Sequence, residues 1–325
     1  MARSAPHKKG KASGKQGSGG AGRSGNPARK KEEVVHPATP RDWISGMRVR
    51  TLPLAVAPVL LGAGFAQLLR AFDLTLSLLA LAVAVFLQIG VNFANDYSDG
   101  VRGTDAFRVG PQRLVASGKA SPRSVLRVAL ASFALAALAG LVIVILSGLW
   151  WLLAVGALAL VAAWFYTGGK KPYGYMGLGE VMVFIFFGPV ATVGTVYIQT
   201  PNVSQDAWVA SVAIGFLAVA TLIANNTRDI PTDKLAGKKT LSVRIGDRAS
   251  RVLYCVFTLL PFAIAGVFVL FYPLTLFVFF VLLLAVPACI IMLTAKTPRE
   301  LILVLKLTTF TSLLYAGLLA VAVAF

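Results

Sequence analysis

Asn92-Phe-Ala-Asn95-Asp96-Tyr-Ser-Asp99 closes an apolar run over residues 76–98, and the polar stretch continues through Gly-Val-Arg-Gly-Thr to Asp105. About 130 residues later a second apolar run, 207–227, ends in the same manner at Asn225-Asn226-Thr-Arg228-Asp229-Ile-Pro231-Thr-Asp233. Each run has the roughly 20 residues that a helix needs to cross the hydrocarbon layer. A carboxylate in or beside that layer costs roughly 2.5–3.5 kcal/mol on insertion scales. Two such clusters need a compensating charge, and a divalent metal supplies one.

The rest of the chain extends this pattern. Its 325 residues are 57% hydrophobic, above the roughly 45–50% of soluble domains. Nine runs are long enough to span, near 52–69, 76–98, 124–147, 149–167, 179–198, 207–227, 251–271, 274–294 and 301–323. The third and fourth meet in a tight turn at Ser147-Gly148, and the seventh and eighth at Tyr272-Pro273. The fold class expected is an all-α polytopic membrane protein of nine transmembrane helices, arranged as two four-helix half-repeats plus one. Residues 1–40 read as a disordered basic tail preceding a membrane domain over 41–325. Of the net charge of +18, half falls in residues 1–50, where 12 Lys and Arg face Glu32, Glu33 and Asp42. Such a segment lacks the apolar surface to fold and the h-region of a signal peptide. It reads as a solvated tail that helps set topology, with anionic headgroups as a second reading; no nucleic-acid partner is expected.

Charge gives an independent check on the count, because cytoplasmic loops collect Lys and Arg. With nine spans and the N-terminus inside, every one of the 31 Lys and Arg except Arg70 falls on inner segments or the helix ends beside them. Both acidic clusters then face the cytoplasm, at matching points of the two half-repeats. The two histidines, His7 and His36, lie in the tail, and Cys255 and Cys289 stand alone in apolar runs. The membrane body therefore offers no imidazole for acid–base or haem chemistry and no thiolate spacing for a soft metal.

Helical spacing organises the acids. Asn92, Asp96 and Asp99 share one face by steps of four and three, and Asn225, Asp229 and Asp233 share another by steps of four. Pro231 predicts that the second helix ends there, with Asp233 on the following turn. Hard oxygen ligands at loose spacing suit Mg²⁺, which keeps waters and leans on substrate phosphates. Arg102, Arg108, Arg113, Lys119, Lys170, Lys171, Arg228, Lys234, Lys238, Lys239 and Arg244 flank the clusters. Positive-inside bias alone accounts for many of them, yet acids and cations together describe a site for a metal-bridged diphosphate. A diphosphate carrying a prenyl tail has reason to be handled within a bilayer.

The paired acidic motifs and nine-helix plan resemble the UbiA superfamily of intramembrane prenyltransferases over residues 41–325. Several segments are similar to its 1,4-dihydroxy-2-naphthoate branch: Arg48-Val-Arg50-Thr-Leu-Pro53, Asn92 to Asp99, Gly103-Thr-Asp105, Gly110-Pro-Gln-Arg-Leu-Val-Ala-Ser-Gly118, Tyr173-Gly-Tyr-Met-Gly-Leu-Gly-Glu180 and Asn225-Asn-Thr-Arg-Asp229. The broad superfamily carries a third Asp where this chain has Gly103; Asp105 stands two residues on, a displacement shared with that branch. The resemblance leaves open whether Asp105 binds metal directly.

The resemblance implies that Asp96, Asp99, Asp229 and Asp233 bind Mg²⁺ and diphosphate and are the catalytic acids. Asn92, Arg113, Lys119, Lys170 and Lys171 are implied diphosphate partners. Tyr166 is either beside the diphosphate or part of an interfacial tyrosine belt. Arg50 is implied to hold the carboxylate of the aromatic acid; Glu180 either joins it or complements a helix dipole. The implied reaction joins a polyprenyl diphosphate to 1,4-dihydroxy-2-naphthoate, with loss of diphosphate and CO₂, giving demethylmenaquinone. Decarboxylation replaces the removal of a ring proton, consistent with the missing histidine. Another aromatic or glycerol-phosphate acceptor is the first alternative and an ion-coupled transporter the second. The implied location is a bacterial plasma membrane, with the active site facing the cytoplasm.

Overall fold

A computed structural model describes residues 37–104 and 113–325, so Asp105 and Arg108 lie outside the described residues. All nine apolar runs are helical. The helices are α1 (Pro40–Gly46), α2 (Pro53–Leu68), α3 (Leu74–Arg102), α4 (Pro122–Ser147), α5 (Leu152–Phe165), α6 (Gly179–Ile185), α7 (Ala191–Tyr197), α8 (Gln205–Leu235), α9 (Leu241–Ile245), α10 (Asp247–Phe268), α11 (Leu282–Thr294), which continues a 3-10 helix over Pro273–Val281, and α12 (Pro298–Ala324); α1 and α9 lie outside the apolar runs.

Seven of these helical stretches are long and apolar enough to cross a membrane, and an eighth if the bent pair Pro40–Thr51 and Pro53–Leu68 is one span. Two of the nine expected spans do not reach that length as single helices. The first run is carried by α2, 16 residues long, which reaches spanning length only together with Pro40–Thr51, from which it is bent by 48°. The fourth, expected over 149–167, is helical only over Leu152–Phe165. The turn after Ser147 and the Gly168-Gly169 pair consume its ends, leaving about 21 Å of helix against a hydrocarbon core of about 30 Å.

The ends follow local chemistry. Ser121 and Ser204 accept the amides of Ser124 and Ala207 as N-caps. Gly103 closes α3 at φ 71, a left-handed position that suits glycine and would strain an aspartate. Pro231 does not end α8, which continues to Leu235. The lost donor is a single amide, while the Thr232 hydroxyl donates to the Asp229 carbonyl at 2.9 Å and the Lys238 amide to the Asp233 carbonyl at 2.8 Å. Asp233 is therefore on the helix, not on a following turn.

Packing is uneven. In α8, 72% of the apolar window is buried against 11% in α3. α8 is the central pillar, packed against α2, α6, α10 and α12, with Phe65, Leu217, Tyr254, Tyr315 and Leu319 in the core around it. α5 buries no residue at all. Leu270 and Leu283 stand 78% and 74% exposed, tolerable when the solvent is lipid.

Candidate active site

The two acidic motifs meet. Lys238 lies 3.3 Å from the Asp99 carboxylate on α3 and 3.7 Å from the Asp233 carboxylate on α8, so one ammonium joins both clusters. Gly237, at φ 71, turns the chain after α8 and delivers Lys238 to that point. The ammonium also sits 4.5 Å over the Tyr175 ring. The Tyr175 hydroxyl donates to the same Asp99 oxygen that Lys238 faces. Burial, with the Asp99 charge beside it, pushes the Tyr175 phenol up, so it keeps its proton and remains a donor. The second Asp99 oxygen accepts from Arg113 at 2.5 Å, and the same Arg113 nitrogen donates to the Asn95 carbonyl at 2.8 Å. Asp229 is gripped by a fork from Arg228, with both bonds at 2.7 Å, and Arg228 also donates to the Asn225 side chain at 2.8 Å.

The remaining implied residues divide. Asp96 accepts the backbone amides of Leu114 and Val115, at 2.9 and 3.1 Å. It fixes the loop that presents Arg113. Asn92 donates to the Met47 carbonyl at 2.9 Å and lines the cavity described below. Tyr166 also lines that cavity, edge-on to Tyr173 at 5.5 Å; burial pushes the Tyr173 phenol up to about 12. Glu180 is buried and accepts from the Asn226 side chain at 2.9 Å. Lys119 pairs with Asp42 at 2.8 Å. Lys170, Lys171 and Arg50 are exposed.

Several cavity residues were given no individual site role from the sequence, Lys238 having been noted only among the flanking cations. Asn95 receives the Thr167 hydroxyl, and Arg48, Tyr175 and Lys238 also line the cavity. Asn95 stands four before Asp99, and a helical wheel centred on Asp99 would have found it.

These groups ring the mouth of a cavity of about 630 Å³. Its wall follows α3 from Asp99 back to Ala80, about 28 Å of helix at 1.5 Å per residue. Below the polar mouth the lining is apolar, from α4, α5, α6 and α7. Between α6 and α7 a π-helical turn, Phe186–Val190, brings Phe186, Phe187 and Val190 onto the wall. Such bulges concentrate at functional sites. Among the described residues no three carboxylate, thiol or imidazole groups form a ready ion cage. The donors near the mouth are carboxylate and amide oxygens, which suit a hard ion that takes further ligands from a phosphate.

Residues 55–300 match the UbiA prenyltransferase family. The chain belongs to that family. Among UbiA relatives, the 1,4-dihydroxy-2-naphthoate octaprenyltransferase of Mycobacterium tuberculosis is 51% identical over 297 residues, covering 87% of this chain and 97% of the relative. The enzyme of the same name from Escherichia coli is 39% identical over 215 residues, covering 64% and 70%. Two solved UbiA homologues share the fold at low identity. The Archaeoglobus fulgidus protein bound to GPP and Mg²⁺ has a TM-score of 0.61 at 16% identity, covering 87% of this chain and all 100% of its own. The apo Aeropyrum pernix protein has a TM-score of 0.63 at 15% identity, covering 82% and 97%.

Proposed function

We propose that this UbiA member transfers a polyprenyl group from polyprenyl diphosphate to 1,4-dihydroxy-2-naphthoate, releasing diphosphate and CO₂. The observation that carries the reading is the junction of Asp99 and Asp233 at Lys238, above an apolar cavity of tail-like length. The acceptor is supported by the 51% identity over nearly the whole of a relative bearing that name.

The oxygen donors at the mouth fit Mg²⁺, with Asp99, Asp229 and Asp233 as the carboxylates that would hold it. Bound with diphosphate, the ion neutralises charge on the leaving group. Arg113 and Lys238, already beside the carboxylates, add preorganised positive charge where the diphosphate charge develops. The prenyl C1–O bond breaks, and its electron pair leaves with diphosphate. The ring carbon bearing the carboxylate supplies the pair for the new C–C bond, and the C–CO₂ pair then returns to the ring. No ring proton must be removed and no oxidant takes part, so the immediate product is the quinol form of demethylmenaquinone. The apolar wall below the mouth keeps water from the allylic cation. The carboxylate role implied for Arg50 passes in this proposal to Arg48, whose side chain lines the cavity.

The proposed topology has nine crossings, a cytoplasmic N-terminus and a cytoplasmic mouth in a bacterial plasma membrane. The distribution of Lys and Arg supports it. Purified protein in lipid nanodiscs, given 1,4-dihydroxy-2-naphthoate and a prenyl diphosphate, is expected to yield the decarboxylated prenyl quinol by mass spectrometry with Mg²⁺ and none with EDTA. Turnover of 4-hydroxybenzoate or a glycerol phosphate in its place would overturn the acceptor assignment.

A further inference from the structure

We propose that Gly140, Gly156 and Gly194 set the maximum length of prenyl chain this protein accepts; the inference rests on the prenyl-transfer function above. The three lie on different helices, α4, α5 and α7, and all line the apolar part of the cavity. A Cβ built at Gly156 or Gly194 meets nothing within 4 Å, and one at Gly140 meets only Val83 at 3.9 Å. Several other helical glycines have a packing reason, while Gly266 and Gly317, which do not line the cavity, are as open as these three. A Cβ at Gly64 would lie 2.6 Å from the Ala320 backbone, one at Gly62 2.6 Å from the Thr192 carbonyl, and one at Gly188 2.8 Å from the Ser211 carbonyl. Glycine inside a helix is less favourable than alanine by about 1 kcal/mol. At the three cavity positions no close approach of helices offsets that cost. What a side chain would remove there is cavity space.

Their depths differ. Gly156 precedes Tyr166, at the mouth, by about 15 Å of helix. Gly140 is level with Val83, its neighbour at 3.9 Å, and Val83 precedes Asp99 by about 24 Å of α3. Gly194 lies about 22 Å along its span from Gly179. A tail entering past Asp99 therefore meets the Gly156 level first and the levels of Gly194 and Gly140 later. A bulky residue at each depth imposes its own cut-off.

The test measures kcat/KM of Gly156→Leu, Gly194→Leu and Gly140→Leu with geranyl, farnesyl, geranylgeranyl and octaprenyl diphosphates. Gly317→Leu is the control, on α12 and equally open. Each cavity variant is expected to hold geranyl transfer within threefold of wild type and to lose at least tenfold with octaprenyl diphosphate. Gly156→Leu should cut off at a shorter donor than the other two, and Gly317→Leu should keep the wild-type profile. Equal loss with every donor, an unchanged profile, or cut-offs that ignore depth would overturn the proposal. A leucine variant that does not elute as a monodisperse species is replaced by the valine variant, judged by the same ratios. If wild-type protein transfers none of the donors, the prenyl-transfer reading fails instead.

Discussion

At the scale of single residues, the acids of the first motif have different partners. Asp99 faces Arg113, Lys238 and Tyr175 in the cavity wall, whereas Asp96 holds two loop amides. Spacing could not separate them, because steps of three and four both keep a residue on one helix face. The sequence therefore identified the motif but not which of its oxygens turn inward. Asp96→Asn is expected to lower kcat roughly 10–100-fold, as loss of a supporting partner does, with the Mg²⁺ concentration for half-maximal rate unchanged. Asp99→Asn should abolish turnover or raise that concentration, and a Mg²⁺ titration of both variants separates the roles. Lys238 offers a second test. Removing one partner of a buried ion pair costs about 3–5 kcal/mol, because the remaining charge stays buried. Lys238→Met leaves Asp99 and Asp233 without their shared cation. Its thermal midpoint in EDTA should fall below wild type and recover on adding Mg²⁺ far more than wild type gains. A midpoint indifferent to Mg²⁺ in the variant would argue against a metal-accepting pair.

At the scale of elements, hydrophobic runs located the long apolar helices, because length and apolarity are local properties. What they missed depends on neighbours. Pro231 is accommodated inside α8, which runs on to Leu235 with the loss of one helical amide donor. The π-helical turn at Phe186–Val190 sits where Gly188 meets Gly215 and Ser211 of α8, a contact invisible in either segment alone. Close approach also explains Gly64, which lets α2 lie against the backbone of α12. Without a hydrophobic driving force between helices in lipid, such small-residue contacts carry much of the association. Gly64→Ala puts a Cβ 2.6 Å from the Ala320 Cα. It should destabilise the protein by about 1–3 kcal/mol, the range for overpacking, read as a lower midpoint in detergent unfolding. Gly317→Ala, where no atom lies within 4 Å, should not lower the midpoint and, by helix propensity, should raise stability by up to about 1 kcal/mol.

At the scale of the whole molecule, the charge pattern anticipated that both motifs share one end, and their junction at Lys238 accords with it. The depth of the cavity was not legible, since its wall joins residues from helices far apart in sequence. The crossing of α5 is the remaining question at this scale, because its 14 residues are short for a span. Its two ends are tied to opposite ends of other helices. Thr167, just after it, donates its hydroxyl to Asn95 and accepts from Arg102 at 2.6 Å, both on the C-terminal part of α3. Trp151, just before it, packs 5.6 Å from Tyr197 at the end of α7, and the next residues of that segment reach the start of α3, where Gln199 accepts the Asp73 amide at 2.7 Å. α5 thus carries the chain from one end of α3 to the other, and a chain that did so in a bilayer would cross it, with tilted flanking turns or local thinning absorbing the mismatch. Single cysteines in a background of Cys255→Ala and Cys289→Ala test this directly. With an impermeant maleimide, Leu149→Cys should label only from outside and Lys171→Cys only from inverted vesicles. Labelling of both from one side would mean that α5 does not cross, and every later loop would then change sides. Asn202→Cys, between α7 and α8, reports that change: it should label from outside if α5 crosses and from inside if it does not.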